Sequence, residues 1–124
     1  MRLYFCHSSS FDYKKELYDP LRLSLLNKTH EIFLPHEKSD ETPNTRALIK
    51  TLDIVFAEVS FPSTGLGIEL GWAADTYLPI VCLHKTGTKP SPALQQVSKF
   101  FIEYSSPADM IKKTEDFLSR ISFE

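Results

Sequence analysis

Ser63, Gly65, Gly67 and Glu69 stand two residues apart in the stretch Phe61-Pro-Ser-Thr-Gly-Leu-Gly-Ile-Glu-Leu-Gly-Trp-Ala-Ala. A hydroxyl residue ahead of a helix accepts from its first N–H groups, so Ser63 or Thr64 opens a helix here. The same hydroxyl and the free N–H groups beside it suit an anion such as phosphate. Glu69, one to two turns further in, is a carboxylate that can act as a nucleophile toward an anomeric carbon. Both residues also have a plain structural reading, in which Ser63 is only a cap and Glu69 only complements the helix dipole. Gly67 and Gly71, one turn apart, leave room for a close backbone approach.

Competing chemistries drop out at the same place. Gly65-Leu-Gly lacks the third glycine of a dinucleotide fingerprint, because position 70 is leucine, and it lacks the lysine of a phosphate-binding P-loop. Cys and His show no zinc spacing, and no Gly-x-Ser-x-Gly elbow is present. No metal or organic cofactor is implied.

The elements that must position these groups follow from the apolar pattern. Ile54, Val55, Phe56, Ala57 and Val59 form a near-continuous run, as in a strand covered on both faces. Leu66, Leu70, Ala73 and Tyr77 give the following helix a core face. Before them come a strand at Leu3-Tyr-Phe-Cys, a polar loop His7-Ser-Ser-Ser, and a helical pattern over Phe11–Asn27 with Leu17, Leu21 and Leu25 in one stripe. Pro20 kinks that helix or begins its second half. A second strand is expected at Glu31-Ile-Phe-Leu-Pro-His, and a short helix over Pro43–Leu52. After the central stretch come a strand at Pro79-Ile-Val-Cys-Leu-His, an open loop over Lys85–Pro92, and a short helix over Ala93–Ser98. A strand at Phe100-Phe-Ile-Glu-Tyr and an amphipathic helix over Pro107–Ser122 close the chain, the helix facing Met110, Ile111, Phe117, Leu118 and Ile121 inward.

Strands alternating with helices imply an α/β fold with a single five-stranded parallel sheet and helices on both faces. The expected order is flavodoxin-like, 2-1-3-4-5, which places ligands outside the carboxyl ends of the strands near strands 1 and 3. His7, Ser8, Ser9, Ser10, His36, the stretch from Ser60 through Ser63 to Gly65 and the loop from Lys85 all fall at that edge. Asp53 falls at the opposite end of its strand and reads as structural.

With 124 residues and 42% hydrophobic content, the chain reads as one domain, 1–124, with a real core. A net charge of −2 provides no basic field for a nucleic acid polymer. No apolar run is long enough for a membrane span, and the start is too short for a signal peptide. Cys6 and Cys82 fall in buried strands, so they are expected to be core thiols of a cytoplasmic protein rather than a disulfide.

Tyr4-Phe-Cys, Asp53-Ile-Val-Phe-Ala-Glu-Val and above all Pro62-Ser-x-Gly-x-Gly-x-Glu-Leu-Gly-x-Ala resemble the nucleoside 2-deoxyribosyltransferase family, in particular its 2′-deoxynucleoside 5′-monophosphate N-hydrolases. The resemblance implies that Glu69 is the nucleophile attacking C1′ of the sugar, with Tyr4 beside it. It implies that Ser63 faces a 5′-phosphate, where transferases of free nucleosides carry an Asp. A carboxylate there would repel phosphate, whereas a Ser with backbone amides would hold it. It places His36 beside the base. It also implies a homodimer in which Ser91, on the loop before the short helix, completes the neighbour's site.

Two departures stand out. The family's first loop is Gly-Ser-x-Arg-Gly-like, but here it is His7-Ser-Ser-Ser-Phe, so Ser8, Ser9 and Ser10 must hold phosphate through hydroxyls and N–H groups. The family's acid–base Asp, eight residues before the strand-3 Asp, corresponds to Thr45, next to Asn44. Neither can protonate a leaving base. Glu37, Asp40 or Glu41 are the carboxylates that can substitute for it. Three functions therefore stand: N-glycosidic cleavage of a nucleoside 5′-monophosphate through a glycosyl-Glu intermediate, 2-deoxyribosyl transfer between bases, and nucleotide binding without turnover.

Overall fold

The computed structural model describes residues 1–39 and 44–121. Five strands, β1 (Arg2–His7), β2 (Glu31–Phe33), β3 (Ile54–Glu58), β4 (Ile80–Lys85) and β5 (Phe100–Tyr104), form one sheet in the order β2-β1-β3-β4-β5. Every neighbouring pair is parallel. This is the expected topology, and β1 and β3, side by side at its centre, carry the longest fully buried runs.

Strand alternation sorts the core into two layers. Leu3, Phe5, Ile54, Phe56, Val81 and Leu83 face one side, with the Phe5 and Phe56 rings stacked at 4.8 Å. They pack against Leu17, Leu21 and Leu26 and against Met110 and Leu118 of α5 (Pro107–Arg120). Tyr4, Cys6, Val55, Ala57 and Val59 face the other side. There they meet Ile49 of α3 (Arg46–Ile49) and Leu66, Leu70 and Ala73 of α4 (Thr64–Asp75). Cys6 and Cys82 are buried free thiols. Asp53, at the amino edge, accepts from the backbone N–H of Arg2 at 2.7 Å and so has a structural role.

The first helical region differs from the single kinked helix expected. One π-helical turn, Lys14–Tyr18, leads into α1 (Asp19–Leu23), where Pro20 sits in the first turn and its missing N–H costs nothing. Ser24 then turns extended, and α2 (Leu26–Thr29) starts afresh. That break rotates Leu25 outward to 64% exposure and puts Leu26 in the core instead. Tyr77 also leaves its expected stripe. The Thr76 hydroxyl donates to the carbonyls of Trp72 and Ala73, α4 ends at Asp75, and Tyr77 takes a left-handed φ of 60° that carries it into solvent. The second strand stops at Phe33, three residues short of expectation, and the Ala93–Ser98 helix is a 3₁₀ turn at Pro92–Gln96. Of the expected helix over Pro43–Leu52, α3 is the helical part among the described residues.

Candidate functional site

Glu69 lies at the second turn of α4, half-buried, with its side chain directed at β1 and at the start of α3. Its Oε2 accepts from the Tyr4 hydroxyl in a short hydrogen bond. The same oxygen accepts from Thr45 Oγ1 at 2.8 Å. Tyr4 is fully buried and Thr45 is 5% exposed, so both donors are fixed by the core rather than by solvent. Burial, reinforced by the Glu69 charge, pushes the Tyr4 phenol far above its ordinary range, so it remains a donor to the carboxylate. Thr45 stands at the N-cap position of α3 but caps nothing there, its hydroxyl being given to Glu69. No described residue hydrogen-bonds Oε1.

A cavity of about 300 Å³ opens beside this carboxylate. Glu69, Thr45, Ile68 and Trp72 border it on one side, and His7, Ser9, Pro35 and His36 on another. Ser63, Gly65 and Leu66, from the N-terminus of α4, complete the lining. Ser63 Oγ accepts from the Leu66 N–H at 3.2 Å, the cap anticipated from the sequence. The dipole of the twelve-residue helix and its exposed first turn favour an anion at this end. Glu69 and the N-terminus of α4 thus share one cavity, on the carboxyl side of β1 and β3.

His36 and His7 form the wall away from α4. His7 is 6% exposed, and its two ring nitrogens have fixed partners. The Ser8 carbonyl, 2.7 Å from Nδ1, can only accept, so Nδ1 carries the proton. Nε2, 2.6 Å from the Tyr18 hydroxyl, then receives the Tyr18 proton. The Tyr18 oxygen in turn accepts from the His36 backbone N–H at 3.0 Å. Burial lowers the His7 pKa to about 4, which keeps the ring neutral in this chain of bonds. The His36 ring sits 5.7 Å from His7 and 5.8 Å from Tyr13, with Nδ1 enclosed and without a hydrogen-bond partner among the described residues.

The structure therefore gathers Glu69, Tyr4, Ser9, His36, Ser63 and Gly65 at one site. Ser8 lies beneath the loop, 2% exposed, its hydroxyl accepting from Ser10 N–H at 3.2 Å, so it shapes the turn that presents Ser9. Ser10 is exposed on that turn. Ser91 caps the 3₁₀ turn and lines a second, apolar groove on the far side of α4, with Ser63, Gly67, Leu70, Leu94 and Val97. Glu37 is engaged by Arg22 in a forked pair at 2.7 and 2.8 Å, which lowers its pKa, and Asp40 and Glu41 lie outside the described residues. Thr45 as a hydrogen-bond donor to Glu69 and Trp72 as a wall residue escaped the sequence reading, whereas His7, expected at the carboxyl edge of the sheet, lines the cavity. Trp72, three residues after Glu69 on the same helix, is the one that periodicity can find. Among the described residues no His, Cys, Asp and Glu cluster is placed to hold a metal, and no helix is long and apolar enough to cross a membrane.

Neither a family model nor a curated protein sequence matches the chain. Among solved structures it is similar to the CMP N-glycosidase BcmB of Clostridium botulinum, with 24% identity and a TM-score of 0.70 over 94% of this chain and 99% of that one. It is also similar to a conserved protein from Enterococcus faecalis V583, with 18% identity and a TM-score of 0.60 over 94% of this chain and 98% of that one. At these identities the likeness establishes a shared fold along nearly the whole length of each chain.

Proposed function

We propose that this protein cleaves the N-glycosidic bond of a nucleoside 5′-monophosphate by a retaining double displacement. Oε1 of Glu69 attacks C1′, the C1′–N bond breaks, and the base leaves with the bonding electrons. Water then attacks C1′ of the glycosyl-Glu69 ester, loses a proton that balances the one taken up by the departed base, and releases the sugar phosphate, regenerating the carboxylate. The observation that carries this reading is the convergence of the Tyr4 and Thr45 hydroxyls on Oε2, which orients the carboxylate in a cavity that ends at a helix N-terminus. Ser63, Gly65 and the Ser8–Ser10 turn form the phosphate end, and His36 lies at the base end. The similarity to a CMP N-glycosidase and the resemblance of the central block to the N-hydrolases support it. The active form is proposed to be a homodimer, with Ser91 contributed to the neighbour's site; Ile68, half-exposed on the cavity wall, offers apolar surface for that second copy to cover. Deoxyribosyl transfer ranks below hydrolysis because Ser63 replaces the carboxylate suited to a free 5′-hydroxyl.

A second reading, nucleotide binding without turnover, is favoured by one feature. The groups touching Glu69 among the described residues are two hydroxyls, and neither readily protonates a departing base. Incubation with a panel of nucleosides and 5′-monophosphates, following free base by chromatography and the glycosyl-enzyme by intact mass, separates the two. Base release from monophosphates with a mass adduct on Glu69 is expected. Binding without release gives the second reading, and sedimentation as a monomer at micromolar concentration overturns the dimer.

A further inference from the structure

The two loops at the phosphate end are joined by a contact that belongs neither to the sheet nor to the pocket lining around Glu69. Phe11 follows the Ser8–Ser10 turn, and Phe61 precedes Ser63 by two residues. Their rings stack at 5.4 Å with an interplanar angle of 24°. Lys85, the last residue of β4, places Nζ 5.1 Å from the Phe11 ring centroid and 5.3 Å from that of Phe61. The same ammonium pairs with Glu16 at 3.0 Å. Its backbone N–H is held by Ser60 Oγ at 2.8 Å, and Ser60 donates its hydroxyl proton and N–H to the buried Glu58 carboxylate. Glu58, 2% exposed, also accepts from Tyr104. One lysine is thus tied by its backbone to the base of the Ser63 loop and by its side chain to a ring from each loop.

We propose that Phe11, Phe61 and Lys85 act as a clip that fixes the separation between the Ser8–Ser10 turn and the Ser63 turn, making the site selective for 5′-phosphorylated nucleosides over free ones. This rests on the nucleotide reading given above. The physical reason is preorganisation. A phosphate held by neutral hydroxyls and N–H groups needs several of them at once, and loops that drift apart lose those bonds together. The aromatic pair supplies a rigid spacer, and the cation seated on both rings resists their separation. Phe11, Phe61 and Lys85 are positioning residues. A sugar and base seated against Glu69 and His36 do not depend on the gap between the loops.

The test compares wild type with Phe61→Leu, Lys85→Met and Lys85→Arg on matched pairs of nucleoside and nucleoside 5′-monophosphate, measuring affinity by calorimetry and KM and kcat where base is released. Phe61→Leu and Lys85→Met are expected to weaken monophosphate binding by about tenfold or more, the scale of one or more lost phosphate bonds, while leaving nucleoside affinity within about twofold. Lys85→Arg, which keeps a cation over the rings, is expected to restore most of the monophosphate preference. Equal losses for both ligands mean general damage to the fold and overturn the clip. So does an unchanged preference in both variants. Should Phe61→Leu fail to fold, Lys85→Met decides alone, since that side chain is partly exposed and lies outside the two core layers. A wild type that binds nucleoside and monophosphate equally overturns the nucleotide reading itself and the clip with it, whereas a wild-type preference that survives the substitutions overturns only the clip.

Discussion

The hydroxyl of Thr45 donates to Oε2 of Glu69 across 2.8 Å, from the N-cap position of a helix it does not cap. In the proposed reading, this uncharged donor stands where the resemblance leads one to expect an acid–base carboxylate. It can orient Glu69 and support its charge, but it cannot exchange a proton with a leaving base. A hydrogen bond to a charged group contributes about 1.5–3 kcal/mol. Thr45→Val, which keeps the shape and removes the donor, is expected to slow base release by about 10- to 100-fold, because the loss falls on the orientation of the proposed nucleophile. Thr45→Asp is the converse experiment. If the wild type binds but does not turn over, this change should create activity, since general acid help is typically worth about 10²–10⁴-fold. No gain in an inert wild type would show that the missing carboxylate is not the cause.

Glu69 itself should be indispensable for chemistry, and its replacements should separate chemistry from stability. From sequence, a Glu near a helix N-terminus contributes only about 0.3–1 kcal/mol through the dipole. The structure adds a further cost, because Glu69 is the acceptor for Tyr4, whose phenol is fully buried. Glu69→Ala leaves that hydroxyl unsatisfied, at about 1–3 kcal/mol. Glu69→Gln keeps an acceptor oxygen there. Both variants are expected to release no base, and urea unfolding should find Glu69→Ala less stable than Glu69→Gln. Base release by Glu69→Gln near the wild-type rate would end the covalent mechanism.

Much of this was legible beforehand, and for identifiable reasons. The sheet order followed from buried strands alternating with helices, since Ile54–Glu58 and Arg2–His7 are apolar enough to sit at its centre. Ser63 as the cap of α4 was legible because a hydroxyl residue just ahead of an apolar helical stripe is a local signature, whereas Glu69 stood out through the resemblance, its spacing alone reading equally well as a partner of the helix dipole. The Thr45 contact was not legible, because it joins residues 24 apart in sequence across α3 and β3, and a lone threonine ahead of a short helix carries no signal of a distant partner. Leu25 and Tyr77 were misplaced because a helix that breaks and restarts, or stops early, shifts the phase of its stripe. His7 read as a loop residue, and only the fold shows that Phe11, Tyr13 and Tyr18 close around it.

Ser63 offers a substitution that changes ligand charge preference without disturbing the helix. Aspartate is as good an N-cap as serine, so Ser63→Asp can keep the bond to the Leu66 N–H. It brings a negative charge to the end of the cavity proposed for phosphate. Monophosphate affinity is expected to fall by about 1.5–3 kcal/mol, with free nucleosides bound as before and melting temperature preserved. Equal affinity for the two ligand classes in both proteins would remove the phosphate assignment.

His7 makes the stability of the fold depend on pH in a defined window. In the unfolded chain its imidazole takes a proton near pH 6.5, whereas in the fold burial holds the pKa at about 4. Protonation is blocked structurally as well. Nδ1 already donates to Ser8, and an imidazolium would make Nε2 a second donor toward Tyr18, whose oxygen already receives the His36 N–H. The unfolded state therefore binds more protons between the two values, and stability falls as pH drops through that range. Above about pH 6.5 both states are neutral and the effect is absent; below about pH 4 it is complete. A difference of about 2.5 units corresponds to roughly 3 kcal/mol lost between pH 7 and pH 4 through this one ring. Urea denaturation across that interval is expected to show the midpoint declining in wild type. His7→Gln can donate its amide N–H to Ser8 and accept from Tyr18 through its amide oxygen without titrating, so its decline should be shallower by about that amount, starting from a lower stability at neutral pH because packing against Tyr13 is lost. Parallel declines in the two proteins would mean that other groups, and not His7, govern the acid limb.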